Sequence, residues 1–112
     1  MRLLIAEDNY LVRKMIRTTV ANAEDEIIEC SNGNDAVNAY SDFRPDWVLM
    51  DYEMPGMDGI SATKEILKID PLASVLVVSQ YNDIDINEAA EQAGAKFFIS
   101  KENMWAINRM IR

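Results

Sequence analysis

Arg2-Leu3-Leu4-Ile5-Ala6-Glu7-Asp8-Asn9 is a short apolar run that stops on two acids, and from Tyr10 to Ala21 the apolar residues change to helical spacing. An apolar strand followed at once by a helix is the opening of a β-α unit. The pattern then recurs. Glu26 to Cys30 reads as a strand, Asp35 to Phe43 as a helix, Trp47 to Met50 as a strand and Ser61 to Ile69 as a helix. Ser74 to Val78 is a strongly β-branched strand, Asn87 to Ala93 a helix, Lys96 to Ile99 a strand and Glu102 to Ile111 a closing helix. Pro45 and Pro71 fall between elements, and Gly94 suits the position just past a helix end. The first helix is expected to turn Leu11, Val12, Met15, Ile16 and Val20 inward, and the second Ala36, Val37, Tyr40 and Phe43.

Five short strands alternating with five helices imply right-handed crossovers and a parallel sheet covered on both faces, an α/β fold of three layers. The flavodoxin-like doubly wound order 2-1-3-4-5 suits this (βα)5 pattern, and it sets the ends of strands 1 and 3 side by side at the switch point where ligands bind. At 112 residues and 49% hydrophobic content the chain reads as one domain spanning residues 1–112. No apolar run approaches the ~20 residues needed to cross a bilayer, and Met1 leads almost directly into a strand, so a cytoplasmic location is expected. Cys30 is the single cysteine, which excludes an internal disulfide, and there is no histidine. A metal held by this chain should therefore be hard and oxygen-loving. The net charge of −8 argues against direct contact with nucleic acid or anionic lipid.

In this order the strand ends carry Glu7 and Asp8 (strand 1), Asp51 (strand 3), Ser79 (strand 4) and, shortly after strand 5, Lys101. Any one acid after a strand is an ordinary helix cap or loop residue. Three together are not: carboxylates ~5 Å apart at an effective dielectric of ~20 repel by roughly 3 kcal/mol per pair, which calls for a cation or a raised pKa. Mg²⁺ fits a site of a few carboxylates that must also meet a phosphate, and Mn²⁺ should substitute.

On these residues the sequence resembles the receiver domains of bacterial two-component response regulators. The resemblance rests on Glu7-Asp8, on Val48-Leu49-Met50-Asp51, on Met54-Pro55-Gly56-Met57-Asp58-Gly59, on Ser79, on Gly94-Ala95 and on Lys101, and it covers the whole chain. It implies that Asp51 accepts a phosphoryl group and that Asp8, Asp51 and the backbone carbonyl of Glu53 ligate Mg²⁺, with Glu7 acting through a metal-bound water. It implies further that Ser79 and Lys101 bind phosphoryl oxygens, that Phe98 occupies the place of the switch aromatic, and that Glu53 and Tyr81 set the phosphoryl lifetime. Glu102 stands where the family usually has a proline after the lysine. The implied donor is a histidine kinase or histidine phosphotransfer protein. The chain would catalyse only its own phosphorylation and dephosphorylation, and the implied output runs through helix 4, strand 5 and helix 5 to an effector domain or protein.

In the last helix Met104, Ile107 and Ile111 share one face, whereas Trp105 falls with Asn108, Arg109 and Arg112 on the other, which suggests a docking or homodimer surface. Two other classes share parts of this pattern. An aspartyl-nucleophile phosphohydrolase of the haloacid-dehalogenase type would need a second aspartate where Glu53 stands. A flavodoxin-like cofactor binder would need a hydroxyl- and glycine-rich loop where Glu7-Asp8-Asn9 stands.

Overall fold

The computed structural model describes all 112 residues. Five strands, β1 (Arg2–Ala6), β2 (Glu26–Cys30), β3 (Trp47–Asp51), β4 (Val75–Ser79) and β5 (Phe97–Ser100), form one parallel sheet in the order β2-β1-β3-β4-β5. Between them run α1 (Tyr10–Val20), α2 (Gly33–Phe43), α3 (Gly59–Ile69) and α4 (Ile84–Ala93), and α5 (Ile107–Ile111) closes the chain. The three layers and the strand order are those the alternating pattern implies.

Because side chains alternate across a strand, each β-run feeds two cores. Leu4, Ala6, Val48, Met50, Val75 and Val77 point toward Ala36, Tyr40, Ala62, Ile66, Ala90 and Ala93 of α2, α3 and α4. Leu3, Ile5, Leu49, Leu76, Val78 and Ile99 point the other way, toward Ile16 and Val20 of α1 and Ile107 and Ile111 of α5. Strands this short can be so apolar only because both faces are covered.

The first helix starts at Tyr10 as periodicity suggests, whereas α2 and α3 start two residues earlier than expected and α4 three, because polar caps set them. Asn9, Asn32, Asp58 and Asp83 each accept a backbone N–H from the first turn of α1, α2, α3 and α4. Gly94 ends α4 with φ of 101°, a left-handed turn that suits glycine.

Two expectations need correction. In α1 the buried stripe is Val12, Ile16 and Val20, at i, i+4 and i+8, whereas Leu11 and Met15 are exposed. Each sits one residue, about 100° of helical arc, before the stripe, which carries it out of the contact with the sheet. The closing segment is also not one helix. Lys101–Ala106 forms 3-10 turns interrupted at Asn103 (φ −111°, ψ 21°), whose side chain donates to Ser100 Oγ at 3.3 Å, and only then does α5 begin. Every peptide bond is trans, that between Lys101 and Glu102 included.

Asn108 and Arg112, expected on the same polar face as Trp105, are anchors. Asn108 Nδ2 donates to the Thr19 carbonyl at 3.0 Å, and Arg112 donates to the Val20 carbonyl at 2.6 Å and to Asp25 Oδ2 at 2.5 Å. They tie α5 to the end of α1, which leaves Trp105 exposed with the Arg109 guanidinium over its ring at 5.7 Å.

Gly59 starts α3 directly against the end of β3, and a Cβ there would collide with the Asp51 carbonyl. Gly59→Ala is expected to lower stability by about 1–3 kcal/mol, the usual cost of overpacking, read as a lower urea midpoint at unchanged slope. An unchanged midpoint would mean that the backbone yields there without strain.

Candidate functional site

The carboxyl ends of β1 and β3 are neighbours because Ala6 pairs with Met50, so the residues that follow, Glu7 and Asp51, emerge side by side. Asp8 is next along the turn into α1, and Lys101 is the first residue beyond β5. One carboxylate oxygen from each of Glu7, Asp8 and Asp51 lies within 4.8 Å of the other two. These acids line a cleft of about 240 Å³ together with Asn9, Val12, Glu53, Gln80 and Lys101. The predicted acidic cluster thus assembles as expected, with Glu53 at its edge.

The electrostatics are unbalanced. Glu7 and Asp51 are each only 1% exposed, Asp8 is open to solvent, and a single ammonium faces all three. Lys101 Nζ lies 2.7 Å from Glu7 Oε1 and 3.1 Å from Asp51 Oδ1. The first contact is a hydrogen bond. The second is an ion pair out of hydrogen-bond alignment, for both Asp51 oxygens are buried with no hydrogen-bond partner. A buried carboxylate in that condition is costly unless protonated or met by a cation.

Protonation follows that logic. Burial, and then the Glu7 carboxylate beside it, push the Asp51 carboxyl up to about 8. Burial also works to raise Glu7, but the neighbouring Asp51 carboxyl and the hydrogen bond from the Lys101 ammonium together outweigh it and hold Glu7 below its usual range. Burial and mutual repulsion thus favour Asp51 over Glu7 as the place for a proton in the metal-free chain. Desolvation and then Glu7 raise Asp8. For Lys101 the effect of burial is outweighed by the two carboxylates, which keep it firmly charged. Three acids against one ammonium, two of them buried and one with orphaned oxygens, are a donor set that suits a hard divalent cation.

The remaining predicted residues divide. Ser79 is fully buried at the end of β4, beside Ser100 of β5, and its Oγ accepts the Tyr81 N–H at 3.1 Å, so it shapes the β4–α4 turn. Tyr81 is half exposed and does not line the acidic cleft. Phe98 is half-buried, packs on the core beneath α4 and lines a separate cleft with Asn87, Glu91, Lys96 and Phe97. Spacing did not reveal that Glu7 takes the shorter contact with Lys101. Nothing in the sequence marks Arg13 either, an arginine on a helix turn whose Nη1 donates to the Glu7 carbonyl at 2.8 Å.

The comparisons agree with this geometry. The family model of the response regulator receiver domain matches residues 3–111. The chain is 43% identical over 101 residues to the chemotaxis protein CheY of Thermotoga maritima, which covers 89% of this chain and 84% of that protein. Identity and coverage are the same for the chemotaxis protein CheY of Bacillus subtilis. Among solved structures, the response regulator domain of Thermotoga maritima CheB superposes with a TM-score of 0.88 at 25% identity, over 100% of this chain and 93% of that one. The CheX-CheY-BeF3-Mg²⁺ complex of Borrelia burgdorferi gives 0.84 at 25% identity, over 99% and 87%. Matched along almost its whole length, with its acids gathered where the parallel sheet switches direction, the chain belongs to the response regulator receiver domain family.

Proposed function

We propose that this chain is a phosphorelay switch in which Asp51 accepts a phosphoryl group from the histidine of a kinase or phosphotransfer protein. The observation that carries the reading is the Asp51 carboxylate, buried among two other acids and one ammonium with neither oxygen hydrogen-bonded. Glu7, Asp8 and Asp51, with the Glu53 backbone carbonyl, would hold Mg²⁺. Bound there, the dication supplies positive charge that keeps Asp51 ionised and offsets the charge of the incoming phosphoryl oxygens.

In the transfer, an Asp51 oxygen forms the new bond to phosphorus as the bond from phosphorus to the donor histidine nitrogen breaks, and the imidazole leaves. Lys101 is already aimed at the acceptor and pairs with a phosphoryl oxygen. Ser79 Oγ accepts the Tyr81 N–H and keeps its own O–H to donate to a phosphoryl oxygen, so phosphorylation and the shape of the β4–α4 turn would be linked through one side chain. The same shift, passed to Phe98 on β5 and to the 3-10 segment after Lys101, would reach an effector through the α4–β5–α5 face. Glu53, at the edge of the cleft, would govern the approach of the hydrolytic water, with Tyr81 beyond the β4 end. Glu53→Asn is accordingly expected to change the half-life of the phosphorylated chain severalfold, and an unchanged half-life removes that role.

The experiment that separates this switch from a phosphohydrolase is incubation with Mg²⁺ and small phosphate esters or a phosphohistidine donor. One phosphoryl group per chain, retained and then slowly lost, is the expected result. Sustained release of many phosphates per chain from esters, with no label retained, would overturn the reading.

A further inference from the structure

The peptide between Glu7 and Asp8 carries a candidate cation ligand on each side, so its orientation sets how those two carboxylates face each other. Its carbonyl oxygen, that of Glu7, accepts a hydrogen bond from Arg13 Nη1 at 2.8 Å. The Glu7 N–H is held separately, by the Cys30 carbonyl at 3.0 Å. Arg13 lies in the first turns of α1 and is itself well fixed: its Nε donates to Glu29 Oε1 on β2 at 3.0 Å, and its guanidinium carbon lies 5.6 Å from the centre of the Tyr10 ring. One guanidinium thus bridges the end of β2 and the peptide that presents the acids.

We propose that Arg13 is a positioning residue for the divalent-cation site, locking the Glu7–Asp8 peptide so that both carboxylates converge with Asp51. The proposal rests on the reading of Glu7, Asp8 and Asp51 as that site. Glu29 has a part in it, because its carboxylate offsets the charge of Arg13 and leaves the hydrogen bond to the Glu7 carbonyl as the main effect on the acids. A planar fork that holds two acceptors in fixed, separate directions is supplied by an arginine and not by the compact point charge of a lysine.

Electrostatics and positioning predict opposite signs, which makes the proposal testable. Coulomb attraction alone says that deleting a positive charge near three acids tightens cation binding. Loss of an orienting partner weakens it, by ~10-fold or more in metal sites generally. Mg²⁺ affinity, measured by calorimetric titration of the full chain, is expected to fall about tenfold in Arg13→Ala. It should fall by a smaller factor in Arg13→Lys, which keeps the charge and loses the fork. Arg17→Ala serves as the control: it removes the neighbouring contact to Glu29 at 2.7 Å without touching the Glu7 carbonyl, and should leave Mg²⁺ affinity unchanged. Melting temperature is followed for every variant, since a purely structural arginine would lower it while leaving affinity alone.

If the wild-type chain binds no Mg²⁺, the reading of the acidic site itself fails. If it binds and Arg13→Ala binds as well or better, the positioning role is overturned while the site stands. Should Arg13→Ala not fold, Arg13→Lys decides, with weaker binding supporting the proposal and equal binding defeating it.

Discussion

Asp51→Asn should make the metal-free chain more stable, by about 1–3 kcal/mol at pH 8 and above, the range set by leaving a buried polar group without a partner. The cause is that Asp51 is buried with both oxygens unpartnered and has a carboxyl pushed up to about 8 by burial and by Glu7. The sign follows from linkage. A carboxyl whose folded pKa is raised contributes stability in full below its unfolded value of about 4, and loses it as pH rises through the folded value. The advantage of Asp51→Asn over the wild type should therefore be small near pH 4, grow through neutrality and level off above pH 8. Mg²⁺ should reverse the order, since a ligand at a hundred times its Kd adds about 2.7 kcal/mol to the form that binds it, and the amide binds it poorly. Thermal melts of both chains across pH, with and without Mg²⁺, read all of this. Equal melting temperatures at pH 8 without metal would show that Asp51 is not held in an electrostatically costly state.

Lys101→Met is the second large effect, and it runs the other way. The ammonium faces Glu7 at 2.7 Å and Asp51 at 3.1 Å, and it is the only cation lining the acidic cleft. Removing one partner of a buried pair typically costs about 3–5 kcal/mol, and because the lysine side chain is 22% exposed, a loss on the order of 2 kcal/mol is expected in the metal-free chain. Mg²⁺ should bind the variant more tightly, because no ammonium competes for the carboxylates, and should recover much of the loss. In the Asp51→Asn background the same substitution should cost less, since one of the two charges it balances is gone. A loss that is the same in both backgrounds, as measured by urea unfolding, would mean that Lys101 and Asp51 are not coupled.

Much of this was legible in the sequence because it depends on regular spacing. Five apolar runs alternating with helical segments dictate a parallel sheet, and that sheet alone brings Glu7 beside Asp51 and places Lys101 near them. Features that depend on contacts between distant residues were less legible. Leu11 and Met15 read as core because α1 is apolar over too wide an arc, and only the docking angle on the sheet decides which third of it is buried. The break at Asn103 follows from its side chain turning back to Ser100, and a helical apolar pattern continues across it unmarked. Ser79 was placed at the right strand end, yet the hydrogen bond from the Tyr81 N–H is a matter of turn geometry that composition does not show. Arg13 is the extreme case, for its partners are a carbonyl at the end of one strand and a carboxylate on another.

The central claim is that Asp51 is the phosphoryl acceptor and that a divalent cation enables it. Intact-mass measurement of the wild-type chain and Asp51→Asn, each incubated with a small phosphodonor in the presence and absence of Mg²⁺, tests this most directly. The account predicts a single added phosphoryl group on the wild type, only with Mg²⁺, and none on Asp51→Asn. Equal labelling of the two chains, or labelling of the wild type that does not depend on the cation, would contradict it.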